Sequence, residues 1–214
     1  LIGIDSKHEK IFRIVSDAAT LINQPVYVVG GFVRDFYLKR IRSSHDYDID
    51  FVTVGSGIKL AEKVAELLQV QQVSVFKQFG TAHIHYHDYD LEFVGARKES
   101  YTRDSRNPVV EDGTLEDDQK RRDFTINAMS WSLNHANYGE LIDPFGGIKD
   151  LNEGLIRTPL DPDQTFDDDP LRMMRAIRFA TQLDFSIHPD VLLSISKLKE
   201  RIQIISAERI TEEL

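Results

Sequence analysis

HDYDIDFV, residues 45–52, sets Asp48 and Asp50 one residue apart in a run that is otherwise apolar from Tyr47 onward. Asp48 and Asp50 alternate with Ile49 and Phe51, and Val52 follows, so the segment reads as a strand. Successive side chains of a strand point to opposite faces, and carboxylates at i and i+2 therefore share one. Each raises the cost of ionising the other. A divalent cation relieves that repulsion, and Mg²⁺ takes few carboxylates together with substrate phosphates and water. A solvated edge strand is the alternative. If the face holds a metal, Glu92 of YDLEFV is a candidate third carboxylate, with Asp90 on the same face.

Upstream, VVGGFVRD (28–35) ends a strand in two glycines where a helix begins. Backbone N–H groups at Gly31 and its neighbours suit a phosphate, and Arg34, one turn on, supplies a charge-assisted donor. A plain tight turn gives the same pattern. A phosphate cradle placed just before the aspartate pair favours metal-bound nucleotide as the ligand of both.

Downstream, KRRDFTINAM (120–129) reads as a helix start with Asp123 as N-cap. Capping leaves the paired Arg121 and Arg122 unexplained, because a helix N-terminus disfavours cations, and a triphosphate facing them would explain both. FDDDPLRMMRAIRFA (166–180) offers Asp169 as N-cap and Pro170 at the first helical position. Arg172, Arg175 and Arg178 then recur every three residues beside Leu171, Met174 and Ile177; a solvated arginine face is the ordinary reading of that spacing. His83, His85 and His87 alternate along one strand face, a pattern that suggests zinc, but no fourth ligand is visible and a polar outer face explains them.

The chain as a whole has 214 residues, 41% of them apolar, enough for one large or two smaller domains. Lys and Arg number 26 against 35 Asp and Glu, a formal charge of −9, which argues against nucleic-acid binding by overall charge. Cysteine is absent, so disulfides and thiolate metal sites are excluded. No apolar run approaches ~18 residues. The chain opens on Leu1 with no signal-like segment, and the expected setting is cytoplasmic. Periodicity predicts a helix over 6–22, strands over 25–29 and 48–54, a helix over roughly 58–69 and an antiparallel pair turning near His87-Asp88. It further predicts a long polar loop over 98–119, a resumed helix over 123–133, and helices only over 169–214.

Taken in order, GGFVRD, the D-I-D of 48–50, RRDFTINAM, DPFGG (143–147) and DDPLRMMRAIRF (168–179) resemble the motifs of the class II tRNA nucleotidyltransferase and poly(A) polymerase family. SAERITEEL at the end is similar to a further family motif. The resemblance covers nearly the whole chain. It implies an α+β fold: a polymerase-β-like head with a small mixed sheet and flanking helices over 1–154, then an all-α neck over 155–214, with body and tail domains beyond Leu214. It implies that Asp48 and Asp50 are catalytic and bind Mg²⁺, that Gly31, Arg34 and Arg122 hold the nucleotide, and that Asp123 and Asn127 lie on its ribose side. Asp169 and Arg172 match the family's base-reading pair, with Arg175 and Arg178 nearby. Asp168 stands where the family has Glu. The implied partners are CTP, ATP and the 3′ end of tRNA, and the implied activity is CCA addition. Poly(A) synthesis or addition of CC or A alone is the alternative within the family, and the loop at 98–119 falls where the family's flexible element for A addition lies. A non-catalytic nucleotide- or RNA-binding module is the alternative outside it.

Overall fold

A computed structural model describes residues 3–41, 47–102 and 105–214. Helix α1 (Ser6–Leu21) opens on Asp5, whose carboxylate accepts the Lys7 N–H at 2.7 Å, and buries Ile11, Phe12, Val15, Ala18 and Ala19. Strand β1 (Val26–Val29), helix α2 (Gly31–Tyr37), strand β2 (Tyr47–Thr53) and helix α3 (Gly57–Leu68) follow. Next come β3 (Ser74–Phe76), β4 (Thr81–Tyr86) and β5 (Tyr89–Gly95), then β6 (Arg97–Thr102), β7 (Ser105–Asp112) and α4 (Leu115–Lys120). Beyond them lie β8 (Ser130–Ser132), β9 (Leu141–Ile142), α5 (Gly147–Glu153) and β10 (Leu155–Ile156). The last elements are α6 (Pro162–Asp168), α7 (Leu171–Leu183), β11 (Ser186–Ile187), α8 (Pro189–Leu198) and α9 (Ala207–Glu212).

Seven strands make one mixed sheet in the order β3-β4-β5-β2-β1-β8-β9. β2 pairs parallel with β5 and antiparallel with β1. The sheet has two unlike faces because β2 and β5 alternate. Ile49, Phe51, Leu91 and Phe93 are fully buried in the main core with residues of α1 and α3, and the Phe51 and Phe93 rings stack at 5.1 Å. Asp48, Asp50, Asp90 and Glu92 occupy the other face. Lower on that face, Val29, Val52 and Ala96 form a small second cluster against Leu115 of α4. This is the expected α+β fold, a mixed sheet followed by helices.

Three expectations are corrected. Residues 98–119 are not a long loop: β6 and β7 pair as an antiparallel hairpin and α4 follows, closed by a reciprocal Thr114–Asp117 capping box. Its inward side carries charge instead of apolar side chains. Glu99, 3% exposed, receives Arg97 at 2.8 Å and Arg121 at 3.3 Å, so no apolar alternation was there to read. The stretch 123–133 is not a helix but a short 3₁₀ turn (Thr125–Asn127) leading into β8. All eleven of its residues are buried, and a run buried on every side has no diagnostic period. Lastly, 169–214 is not purely helical, because β11 pairs parallel with β10.

Candidate active site

The turn after β1 is shaped by Gly30, whose φ of +75° is a conformation side chains rarely adopt. A Cβ there would also lie 3.3 Å from Arg122 Nη1 and 3.4 Å from Asp50 Oδ2. The backbone of Gly30 thus passes between the carboxylate of β2 and a guanidinium from the end of α4. The Gly30 N–H is bound to Met129 O at 3.3 Å, and α2 has only seven residues, so arginines rather than an extended helix dipole supply the positive charge.

Those arginines line one open cavity of ≈ 550 Å³ floored by Gly30, Gly31 and Asp50. Seven arginines face it (34, 121, 122, 172, 175, 178 and 209) against Asp50, Asp123 and Asp169. In a chain of net charge −9, such a concentration marks a site for an anion.

Each arginine has its orientation set by a neighbour. Arg34 donates to Asp35 at 2.8 and 3.0 Å and to Asn127 Oδ1 at 2.8 Å. Arg121 and Arg122 both reach Asp118, which is 0% exposed. Arg172 is buried and donates to Arg121 O at 2.5 Å. Arg175 bridges Asp123 (2.7 Å) and Glu213 (3.4 Å), and Arg178 meets the other oxygen of Glu213 at 2.6 Å. The ring of Phe179 lies among Arg34, Arg175 and Arg178, at 5.2, 5.2 and 4.5 Å.

The acids divide into two kinds. Burial alone would raise Asp118 and Asp123; the Arg122 and Arg121 guanidiniums beside the first, and Arg175 with Asn127 beside the second, overcome it and hold both below the usual carboxylate range. Asp50 goes the other way. Burial first, then Glu92 and Asp48, push it up to about 7 against the pull of Arg122. Asp48, though its side chain reaches solvent, is also raised, by partial desolvation against the sheet and by Glu92 and Asp90. The strand register sets Glu92 directly beside Asp50 and within hydrogen-bonding reach, whereas Asp90 is beside Asp48 and accepts from His85 at 2.8 Å. Glu92 is therefore the third member of the group. No ready-made cluster of three or more His, Asp or Glu ligands occurs among the described residues. Two under-compensated carboxylates, one in and one beside an arginine-lined cavity, suit a cation that shares its coordination with a bound anion.

Gly31, Arg34, Arg122, Asp169, Arg172, Arg175 and Arg178 all line the cavity with Asp50; Asp48 lies just outside it, exposed, on the same strand face. Asp123 is no N-cap. It accepts from Phe124 N at 2.7 Å and from Asn127 Nδ2 at 3.1 Å beneath the arginines. Arg121 and Arg122 follow α4 rather than begin a helix, so the macrodipole favours them. DPFGG does not line the arginine-rich cavity: Asp143 caps α5 through Gly147 and Ile148 N–H at 2.7 and 2.9 Å, and Gly147 packs where a Cβ would fall 2.4 Å from Thr125 O. Sequence reading missed Asp118, Phe179 and Glu213. An acid three and four residues before an arginine pair was the one available signal, for Asp118.

The family profile described as poly A polymerase head domain matches residues 26–157, and that described as probable RNA and SrmB-binding site of polymerase A matches 184–214. The A-adding tRNA nucleotidyltransferase of Aquifex aeolicus is 46% identical over 161 residues, which is 75% of this chain and 19% of that protein. The CCA-adding enzyme of Bacillus subtilis is 38% identical over 205 residues, 95% of this chain and 47% of that one. The solved structure of the Thermotoga maritima CCA-adding enzyme complexed with tRNA superposes with a TM-score of 0.82 at 34% identity, over 98% of this chain and 47% of that chain. The chain thus spans less than half the length of each of these three.

Proposed function

The chain belongs to the family of class II tRNA nucleotidyltransferases and poly(A) polymerases, and from that membership we propose that it transfers C and A from CTP and ATP to the 3′ end of tRNA, without a template and with release of pyrophosphate. The observation that carries this reading is the convergence of the Gly30-Gly31 turn, Asp50 and the acid–arginine pair Asp169 and Arg172 on one arginine-lined cavity, with Asp48 beside it on the same strand face.

The Gly30-Gly31 turn, Arg34 and Arg122 hold the triphosphate, and their fixed partners let them do so without reorganising. Asp48 and Asp50 would hold Mg²⁺, which when bound neutralises the phosphates and lowers the pKa of the attacking hydroxyl. Asp169 and Arg172 select the base. Asp accepts only and Arg donates only. Cytosine and adenine each present an amino donor beside a ring-nitrogen acceptor; uracil and guanine present the reverse. The wrong base leaves buried polar groups unpaired, at about 1–3 kcal/mol each.

Addition of A alone is a second reading, favoured by the 46% identity to the A-adding enzyme of Aquifex aeolicus. A binding module without catalysis is disfavoured by Asp48 and Asp50, since binding alone does not need a repulsive pair. Incubation with tRNA lacking its CCA end, Mg²⁺ and each single NTP separates these readings. With a second acceptor that already ends in CC, and with CTP and ATP also supplied together, extension of the first acceptor by CTP and of the second by ATP is expected. Extension of the CC-ended acceptor by ATP with none of the first by CTP would select the second reading, and no extension of either would sink both.

A further inference from the structure

The carboxylates of β2 continue as a row of side chains across the sheet, away from the triphosphate cavity. Glu92 of β5 lies beside Asp50, His83 Nε2 of β4 lies 3.4 Å from Glu92 Oε1, and the ring of Phe76 in β3 meets that of His83 edge-on, with centroids 5.3 Å apart. Phe76 is 48% exposed although β3 ends the sheet beside it, and Phe79, at the next turn, is 58% exposed. Neither ring belongs to the core, and the cavity of the proposed function uses neither.

Sheet order gives this row a direction. β2 lies between β1, whose Gly30-Gly31 turn faces the triphosphate, and β5-β4-β3, which carry the row. In-line transfer at a phosphorus requires the entering oxygen opposite the leaving one. With pyrophosphate leaving on the β1 side of Asp50, the acceptor hydroxyl must enter from the β5 side. The nucleotide bearing that hydroxyl is then brought in on the side of the sheet that carries His83 and Phe76.

We propose that Phe76, supported by His83, is the stacking platform for the terminal base of the acceptor RNA. The inference rests on the transferase reading above. An aromatic face suits this task because every base has a π-face, so it seats successive acceptor ends of different sequence as the chain grows. It also gives the histidines at alternate positions of β4 a role other than metal binding: His83 links the carboxylates to the aromatic edge, while His85 is turned to Asp90.

The test is single-nucleotide extension of tRNA by the wild-type protein, Phe76→Ala and Phe76→Trp, with acceptor and NTP titrated separately and each variant melted. Phe76→Ala should raise the acceptor KM about tenfold, the size of one lost base–aromatic stack, while NTP KM stays within twofold. Phe76→Trp should restore the acceptor KM. An acceptor with an abasic 3′-terminal residue should cost the wild type as much as Phe76→Ala does, and cost the variant little more. An active wild type with a Phe76→Ala variant of unchanged acceptor KM, or with the change in NTP KM instead, overturns the platform alone. A wild type that extends no acceptor overturns the transferase reading and the platform with it.

Discussion

Asp118 grips Arg122 through Oδ2, 3.2 Å from Nε and 3.1 Å from Nη2, while its Oδ1 holds Arg121 at 2.7 Å. One buried carboxylate therefore sets the direction of two arginines, and one of them stands 3.3 Å from where a Cβ on Gly30 would lie. Asp118→Asn keeps the shape but removes the charge. Stability should fall by about 2–4 kcal/mol, since partly buried arginines lose their counter-ion. The KM for NTP should rise more than kcat falls. Urea midpoints and steady-state kinetics check both, and a stable variant with unchanged NTP KM would contradict the assignment.

The same residue gives a pH dependence. Asp118 and Asp123 are held below the ordinary value near 3.8, so each contributes stability that is present above that value. It is lost as pH falls through their folded-state values. Wild-type urea midpoints should drop steeply below about pH 4, and Asp118→Asn should flatten that drop.

Asp50 contributes with the opposite sign. Its value near 7 against an ordinary 3.8 means the native state holds the proton more tightly. Native stability from this group is full below about pH 4 and is lost as pH rises through 7. At about 1.4 kcal/mol per pKa unit, the ceiling is ~4 kcal/mol. Asp50→Asn should therefore melt higher than wild type at pH 8, with the gain vanishing near pH 4. Added Mg²⁺ at pH 8 should raise the melting temperature of the wild type by a few degrees and leave Asp50→Asn nearly unmoved. Asp48→Ala and Asp50→Ala should each cut nucleotide transfer by more than tenfold. Equal Mg²⁺ response in wild type and Asp50→Asn would remove Asp50 from the metal.

Glu213 ties α9 to α7 through Arg175 and Arg178 while only 8% exposed. Glu213→Ala should destabilise by about 1–3 kcal/mol and free Arg178 from its carboxylate, while Arg175 stays on Asp123 at 2.7 Å. A denaturation midpoint equal to that of wild type would show that the tether contributes nothing.

The central strands β1, β2, β4 and β5 and most residues that line the cavity were legible because their signals are local. The β2 alternation, the double glycine and the Asp-Pro-x-Arg helix start each lie within a few residues. What was missed depends on pairs distant in sequence or on burial without a period. Glu99 faces inward only because Arg121 lies above it, so β6 and β7 read as loop. Trp131 and its neighbours are buried on every side, so a 3₁₀ turn and a strand read as helix. Glu213 meets Arg178 across 35 residues, a pairing that spacing alone does not reveal.

Asp169 remains the residue with two candidate roles, and its geometry bears on both. The φ of −141° and ψ of 97° are extended, its Oδ1 accepts Leu171 N–H at 3.2 Å, and Pro170 follows in the helical region, so Asp169 does cap α7. It also lines the cavity beside Arg172. Asn caps about as well as Asp, so the cap predicts that Asp169→Asn is nearly neutral in stability. Base reading predicts something the cap cannot. An amide can turn to donate to O4 of UTP or O6 of GTP, where a carboxylate only accepts. Asp169→Asn should then melt normally while incorporating UTP and GTP at least tenfold faster relative to CTP and ATP. Arg172→Ala should lower CTP and ATP incorporation together, because the donor to the ring nitrogen is gone. Single-nucleotide incorporation with all four NTPs, alongside melts, measures each effect. An Asp169→Asn protein that melts normally and rejects UTP and GTP as strictly as wild type would leave Asp169 a helix cap and nothing more.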